Sequence, residues 1–164
     1  MPTPTYTPLA TVTLGTAAAS VTFSSIPATY RDLILVANGA SAITNDFGYI
    51  RFNSDTGSNY SWVQMGAQSS GLFSSSTTTT SWRPTNFDFS GSRIVSTVQI
   101  MDYSATDKHK TGLIRDNGQQ GSDHVVRAYG ARWANTAAIT SIQYFTTAGN
   151  LNAGFTLSLY GVIA

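Results

Sequence analysis

The chain has 164 residues, of which 41% are hydrophobic and 12% aromatic, so it can bury the core of one domain and is not a disordered tail. Only 10% of the residues are charged, against about 25% in an average domain, and the formal net charge is +1. This composition excludes disulfides, thiolate metal sites and a strong electrostatic attraction to nucleic acid or to an anionic membrane surface.

The polar residues favour strands over helices. All eight acidic residues are aspartate, lysine occurs only at Lys108 and Lys110, and serine and threonine supply roughly a quarter of the chain, well above ordinary usage. Glutamate and lysine are good helix formers, whereas threonine suits strands and serine suits turns. A surface covered by hydroxyl groups repels its neighbours weakly, so it suits a subunit that packs into an assembly.

The first eight residues, MPTPTYTP, are predicted to form an extended arm, and residues 9–164 a single folded domain. Pro2, Pro4 and Pro8 favour extended backbone and cannot donate backbone hydrogen bonds, so the segment would make a poor central strand. Tyr6 brings a large apolar ring and one hydroxyl group, so we expect these four residues to bind a partner. The alternatives are a frayed terminus and an arm that folds back on its own domain. The segment lacks the basic and apolar blocks of a signal peptide.

From residue 9 onward, apolar and polar residues mostly alternate with period two, as in half-buried strands, while residues 33–37 form a continuous apolar run, as in a strand in the middle of a sandwich. About ten strands are predicted, at residues 9–14, 20–24, 33–37, 49–52, 60–65, 93–101, 109–115, 124–133, 139–145 and 155–163. The low-complexity residues 69–81 (SSGLFSSSTTTTS) are predicted to be an exposed loop or an edge strand.

Short strands at close spacing, with no helical period, are typical of a sandwich or a barrel. We therefore predict an all-β fold, a single antiparallel β-sandwich with a jelly-roll-like arrangement. The alternation places nine side chains in its core: Leu33, Leu35, Ile94, Val98, Ile100, Tyr129, Phe155, Leu157 and Leu159.

Four residues near the middle of the chain have the types found in a catalytic triad. Asp102, Ser104, Asp107 and His109 lie close in sequence, but a polar turn explains them equally well. The sequence has no nucleophile elbow, P-loop or HExxH motif, and no glutamate to serve as a glycosidase acid. The prediction is a protein that is not an enzyme, with no catalytic residue and no cofactor.

Asn53, Asp55 and Asn59 lie in one loop and could offer oxygen ligands to Ca²⁺. Asx side chains that close their own turn are the favoured interpretation. The two histidines, His109 and His124, lack the spacing of a transition-metal site. No metal site is therefore predicted.

Five aromatic side chains could either stack on sugar rings from loops or fill the core: Tyr60, Trp62, Phe73, Trp82 and Trp133. Trp133 lies on an alternating strand and is expected in the core. Trp82 follows the Ser/Thr tract and precedes Arg83-Pro84, so we expect it to be exposed and to take part in an interaction.

Four segments occur in a distinctive order: VTFSSIPATYRDLILVANGA (21–40), IRFNSDTGSNYS (50–61), VQIMDYSATDKHKTGLIRDNG (98–118), and RWANTAAITSIQYF with GFTLSLYGVIA (132–145 and 154–164). Together they resemble a group of small tailed-phage virion proteins found among phages of aquatic bacteria. The resemblance spans most of the chain. It implies a virion structural role and a β-sandwich, and it brings no catalytic residues.

The sequence therefore predicts a phage structural protein on the exterior of the virion, made in the host cytoplasm. The main hypothesis is a capsid decoration or cement protein that binds the assembled shell and stabilises it. Its expected partners are the major capsid protein or other virion proteins and further copies of itself, as a trimer, with no nucleic acid and no membrane. The alternative is a tail-fibre or baseplate domain that binds host-surface glycan. The lack of heptads or a β-helical repeat for a fibre stalk favours decoration.

Overall fold

The computed structural model describes residues 5–87, 91, 93–120 and 123–163 and, except at residues 120 and 123, their side chains. Within these residues it has twelve strands: β1 (Tyr6–Thr13), β2 (Ser20–Phe23), β3 (Asp32–Gly39), β4 (Asp46–Phe52), β5 (Tyr60–Gln68), β6 (Gly71–Thr79), β7 (Trp82–Phe87), β8 (Ile94–Met101), β9 (Lys110–Gln120), β10 (Asp123–Trp133), β11 (Ile142–Phe145) and β12 (Thr156–Val162). The described residues include no helix, and therefore none long and apolar enough to cross a membrane.

The strands form two sheets in which hydrogen-bonded neighbours run antiparallel. The large sheet has eight strands in the order β1-β12-β3-β8-β9-β10-β5-β6, and the small sheet has four in the order β2-β11-β4-β7. Inward side chains of both sheets join in one hydrophobic core. The prediction of an all-β, antiparallel sandwich is confirmed, while the jelly-roll-like arrangement stays a prediction.

The core contains all nine residues predicted for it, each at most 3% exposed: Leu33, Leu35, Ile94, Val98, Ile100, Tyr129, Phe155, Leu157 and Leu159. An aromatic cluster lies beside them, centred on Phe52. Its ring centroid lies 4.8 Å from that of Trp82, 5.4 Å from that of Trp133 and 6.1 Å from that of Tyr60. Aromatic rings bury the largest area per residue, so this cluster supplies much of the apolar contact between the sheets.

Strand β7 was not predicted, because Pro84 lies inside it. Proline is tolerated there because β7 is an edge strand of the small sheet. The strand turns Trp82 inward, where it is fully buried, so the prediction of an exposed Trp82 is wrong. Its ring occupies space left by Gly112 on β9, where a Cβ would lie 2.6 Å from the Trp82 ring.

The predicted N-terminal arm merges with the domain. Tyr6 pairs with Val162 of β12, so the boundary expected after Pro8 falls inside β1. Because β1 is an edge strand with a register shift after Pro8, the proline does not interrupt a central ladder. Pro2 and Pro4 lie outside the described residues. The binding of a partner by this segment stays a prediction.

The low-complexity segment contains β6, the other edge of the large sheet, in agreement with the expectation of an exposed loop or an edge strand. Exposed edges are usually protected by charged residues or proline. The β6 sequence, GLFSSSTTT, has neither. Its outer side therefore offers backbone donors and acceptors without the usual protection against another strand.

Candidate functional site

The candidate site is the outer face of the large sheet, the face turned away from the small sheet. Successive side chains of a strand point to opposite faces, so the residues between core positions form this outer face. On β5, Trp62 is buried in the core, while Val63 and Met65 are exposed. Strand register aligns five outward apolar side chains of β5, β6 and β10, here called the apolar patch: Met65, Ala67, Leu72, Val126 and Ala128.

Exposed apolar side chains are concentrated on this face. Leu72, Met65 and Val126 are 89%, 66% and 65% exposed. Of the nine large apolar side chains that are exposed among the described residues, only Ile43 and Ile163 lie elsewhere; the outer face holds Tyr6, Val63, Met65, Leu72, Val95, Leu113 and Val126. Contiguous exposed apolar surface with a polar rim is typical of an interaction site.

Three depressions follow the outer face. One of about 590 Å³ lies over the apolar patch and is lined by Met65 and Leu72. A second of about 570 Å³ lies toward the other end of the same strands, beside Leu113 and Arg132. A third of about 440 Å³ includes Tyr6 in its lining. The outer face therefore has recesses that can accept side chains of a bound molecule.

Among the described side chains, the charges that β9 and β10 turn to this face have one sign. Arg115 and Arg132 lie on outward positions of β9 and β10, and neither contacts a carboxylate among the described residues. The carboxylate nearest in sequence, Asp116, is turned inward, where its Oδ2 lies 3.2 Å from Nη1 of Arg127. A partner for this face would be mainly apolar and hydroxyl-bearing, with acceptors or carboxylates opposite the two arginines.

The triad-like residues are not assembled. Arg132 Nη2 lies 2.8 Å from Nδ1 of His109, and Lys108 Nζ lies 3.4 Å from Oδ2 of Asp102. Among the described hydrogen bonds, none joins His109 to Asp102, Ser104 or Asp107. The polar-turn interpretation of this segment is therefore the one that fits the geometry.

Lys110 stabilises that turn through hydrogen bonds from its ammonium group. Its Nζ is buried and donates to the carbonyl oxygens of Ala105, Lys108 and Thr136 at 2.6, 2.9 and 3.1 Å. Burial lowers the pKa of this ammonium group, although nearby aspartates oppose the shift. Three carbonyl acceptors match the three N–H donors of lysine, so the buried charge is satisfied.

The loop of Asn53, Asp55 and Asn59 is closed by its own side chains. Asp55 accepts hydrogen bonds from the Gly57 amide at 2.8 Å and from Asn59 Nδ2 at 2.9 Å. Asn53 Nδ2 donates to the carbonyl oxygen of Ala138 at 2.7 Å. The contacts of Asp55 agree with the Asx-turn interpretation, whereas Asn53 binds a distant segment instead of its own turn. Groups of three or more potential metal-binding side chains do not occur in the part of the chain that the structure describes.

The aromatic residues considered for sugar stacking are mostly internal. Tyr60, Trp62 and Trp133 are buried, as was expected for Trp133. Phe73 is half-buried, and its ring covers Gly66 of the neighbouring strand. Burial raises the pKa of Tyr60 to about 12. Stacking on a sugar ring would therefore need side chains other than these mostly buried rings.

No sequence prediction pointed to the outer face, although strand β5 carries a signal for it. Strand β5 reads YSWVQMGAQ, with apolar residues at Trp62, Val63 and Met65 on both of its faces. A half-buried strand should alternate more cleanly. Apolar residues on both faces of a strand predict that both faces are buried. In this structure only the inward face of β5 packs against the core, and the outer face is exposed.

No family model matches the chain, and no curated protein matches it in sequence. Among solved structures, a variant of alginate lyase Aly36B in complex with an alginate tetrasaccharide is 13% identical, with 93% of this chain and 80% of that chain covered and a TM-score of 0.36. The unmodified Aly36B is 12% identical, with 93% and 77% covered and a TM-score of 0.36. A protein of unknown function from Shewanella oneidensis MR-1 is 8% identical, with 96% and 75% covered and a TM-score of 0.27.

These matches correct the prediction that the chain is not an enzyme, because the similar solved structures include an enzyme. At a TM-score of 0.36 the likeness assigns neither an activity nor a substrate to this chain.

Proposed function

We propose that this protein is a structural subunit on the exterior of a phage particle, where it binds the assembled shell through the outer face of its large sheet. The observation that carries the proposal is the apolar patch, which is strongly exposed and has Arg115, but no described carboxylate, beside it. The resemblance to virion proteins supplies the shell as the partner. A protein that binds the assembled shell but not its free subunits stabilises the shell by mass action.

The edge strand β6 supports the same proposal. It borders the apolar patch and lacks charge and proline, so a partner strand can extend the sheet there while its side chains cover Leu72. A homo-oligomer, such as the expected trimer, is accommodated by the two free edges β1 and β6. The major capsid protein is the proposed occupant of the outer face.

The test uses particles that assemble without this protein, to which purified protein is added. A variant with Met65→Asp and Val126→Asp places two carboxylates in the apolar patch and should bind the particles at least about tenfold more weakly. The matched control, Thr22→Asp with Ser24→Asp, adds the same charge at exposed positions on or beside β2 and should bind normally. Binding is measured by co-sedimentation.

Two results decide the matter. Equal binding by the two variants, with both folded, would show that the outer face does not contact the particle. The number of copies per particle, measured by quantitative mass spectrometry, separates placement on the head from placement on the tail: hundreds of copies support a decoration protein, and a handful contradict it.

A further inference from the structure

A second site, separate from the outer face, lies beside the edge strand β7, where the small sheet approaches β5 and β10 of the large sheet. It is a pocket of about 330 Å³ with a mostly polar lining: Asn45, Gln64, Gln68, Arg83, Asn86 and Arg127. Its size is at the lower end of the range for ligand pockets, which fits a ligand of about the size of one sugar ring.

Arg83 is held in this pocket by two aromatic rings. The carbon at the centre of its guanidinium lies 4.7 Å from the ring centroid of Phe47 and 4.6 Å from that of Trp62. The rings cover the guanidinium and hold it in place, so its N–H groups remain for an acceptor in its own plane. Its Nε is buried and has no hydrogen-bond partner, and Arg83 forms no ion pair among the described residues.

Two amide side chains in the same pocket have unused acceptors. Gln64 and Asn86 are only 7% and 8% exposed, yet Gln64 Oε1 and Asn86 Oδ1 are buried without a hydrogen-bond partner. The other end of the Gln64 amide is engaged, because its Nε2 donates to Ser75 Oγ at 2.6 Å. Buried polar atoms are nearly always paired in native proteins, so unpartnered atoms on two residues that line one pocket point to a missing ligand.

Arg127, the second arginine of the pocket lining, is already paired. Arg127 pairs with Asp116, and the backbone amide of Asn86 donates to the same carboxylate oxygen at 3.4 Å. This leaves Arg83 as the cation of the pocket that has no described counter-charge. The ligand must therefore bring a negative charge for Arg83 and hydroxyl or amine donors for the two amide oxygens.

We propose that this pocket binds a small carboxylate that carries hydroxyl groups, of the class of sugar acids and hydroxy acids. Its carboxylate accepts from the Arg83 guanidinium edge, and its hydroxyl groups donate to Gln64 Oε1 and Asn86 Oδ1. The half-buried rings of Phe47 and Phe73 line the same pocket and offer apolar walls for the C–H groups of the ligand. A free acid and the end of an acidic polysaccharide share this chemistry.

The test is isothermal titration of the intact protein with glucuronate, glucose and propionate. Saturable binding of glucuronate that exceeds both other probes by about tenfold or more is expected, because glucose lacks the carboxylate and propionate lacks the hydroxyl groups. No saturable binding of glucuronate at roughly 10 mM, or equal binding of all three probes, would overturn the proposal. Trigalacturonate separates the two sources: tighter binding than glucuronate indicates a polysaccharide, and weaker binding a free acid.

Variants locate the site. Gln64→Leu removes an orphaned acceptor and Arg83→Lys removes the planar donor edge, so each should weaken glucuronate binding about tenfold while circular dichroism shows a folded protein. The matched control is Arg51→Lys, since Arg51 also lies over an aromatic ring, that of Phe145 at 4.5 Å, but outside the pocket. If Arg51→Lys weakens binding as much as Arg83→Lys does, the assigned site is wrong.

The proposed ligand site and the proposed function can be tested independently, because they use different parts of the surface. The pocket opens beside β7 of the small sheet, whereas the apolar patch lies on the far side of β5 and β10. A protein that binds particles normally but ignores glucuronate would remove only the ligand site.

Discussion

The indole nitrogen of Trp133 donates a hydrogen bond of 2.8 Å to Oδ2 of Asp55, across 78 positions of sequence. The contact joins the end of β10 to the loop after β4 and gives both residues a structural role. Trp133 fills the core with its ring and satisfies its N–H at the core boundary. Asp55, considered above as a possible Ca²⁺ ligand, has its acceptors occupied by the protein itself.

This relationship predicts a pH-dependent effect of Asp55→Asn. Burial raises the pKa of Asp55, but hydrogen bonds from Asn59, Trp133, Gly57 and Asn135 outweigh it, and the net pKa is below the ordinary value of 3.8. A lowered folded-state pKa adds stability above the unfolded-state pKa, and that stability is lost as the pH falls through the folded-state pKa. We expect Asp55→Asn to cost about 1 kcal/mol at neutral pH, with solvent screening allowed for.

The measurement is a series of thermal melts from neutral pH to below 3.8, the unfolded-state value. The gap between wild type and Asp55→Asn should shrink on acidification, because the wild-type carboxylate becomes protonated as well. Asp107→Asn, at an exposed position of a turn, is the control and should change little. A gap that stays constant at all pH values would contradict the stabilising role of the charge.

Leu157→Ala should lower the free energy of unfolding by about 2–5 kcal/mol, because the side chain is fully buried in the core and its removal leaves a cavity. Chemical denaturation monitored by tryptophan fluorescence gives the value. The neighbouring Ser158 points to the outer face, so Ser158→Ala should stay within about 0.5 kcal/mol of wild type. Similar losses in the two variants would mean that the register of β12 is wrong.

Gly112→Ala tests the contact that buries Trp82. The added Cβ would lie 2.6 Å from the Trp82 ring and 3.1 Å from the carbonyl oxygen of Gln99, so the ring must shift, at an expected cost of about 1–3 kcal/mol. Gly130→Ala is the matched control on the adjacent strand, because nothing lies within 4 Å of its added Cβ. Thermal melts should separate the two; a control as unstable as Gly112→Ala would refute the packing explanation.

Tyr6 is the residue of the predicted arm that the structure places most favourably for binding. It is 57% exposed and borders a depression of the outer face. Tyr6→Ser should therefore change the free energy of unfolding by no more than about 0.5 kcal/mol but weaken attachment to the particle about tenfold. Truncation after residue 8 is a poorer test, because it also removes paired residues of β1. Normal attachment of Tyr6→Ser would reject this anchor.

The sequence by itself determined the core of the protein and most of its strands, although not β7. Period-two alternation and the continuous apolar run at residues 33–37 depend only on neighbouring residues, so they placed Leu157, Leu33 and the other core residues correctly. The same local logic predicted the Asx turn at Asp55 and gave the edge position of the Ser/Thr tract as one of two alternatives. It failed at Trp82, because the polar neighbours of that residue say nothing about Gly112, whose missing Cβ makes room for the ring.

The candidate sites were decided only by tertiary structure. Strand β5 has apolar residues on both faces, and sequence cannot tell which face a second sheet will cover. The small sheet packs against the inward face, so Trp62 is buried while Met65 remains exposed. The polar pocket likewise brings Gln64, Arg83 and Arg127 together from three strands. Such sites depend on how distant segments pack. A local sequence pattern shows only which residues share one face of a strand, and not what packs against that face.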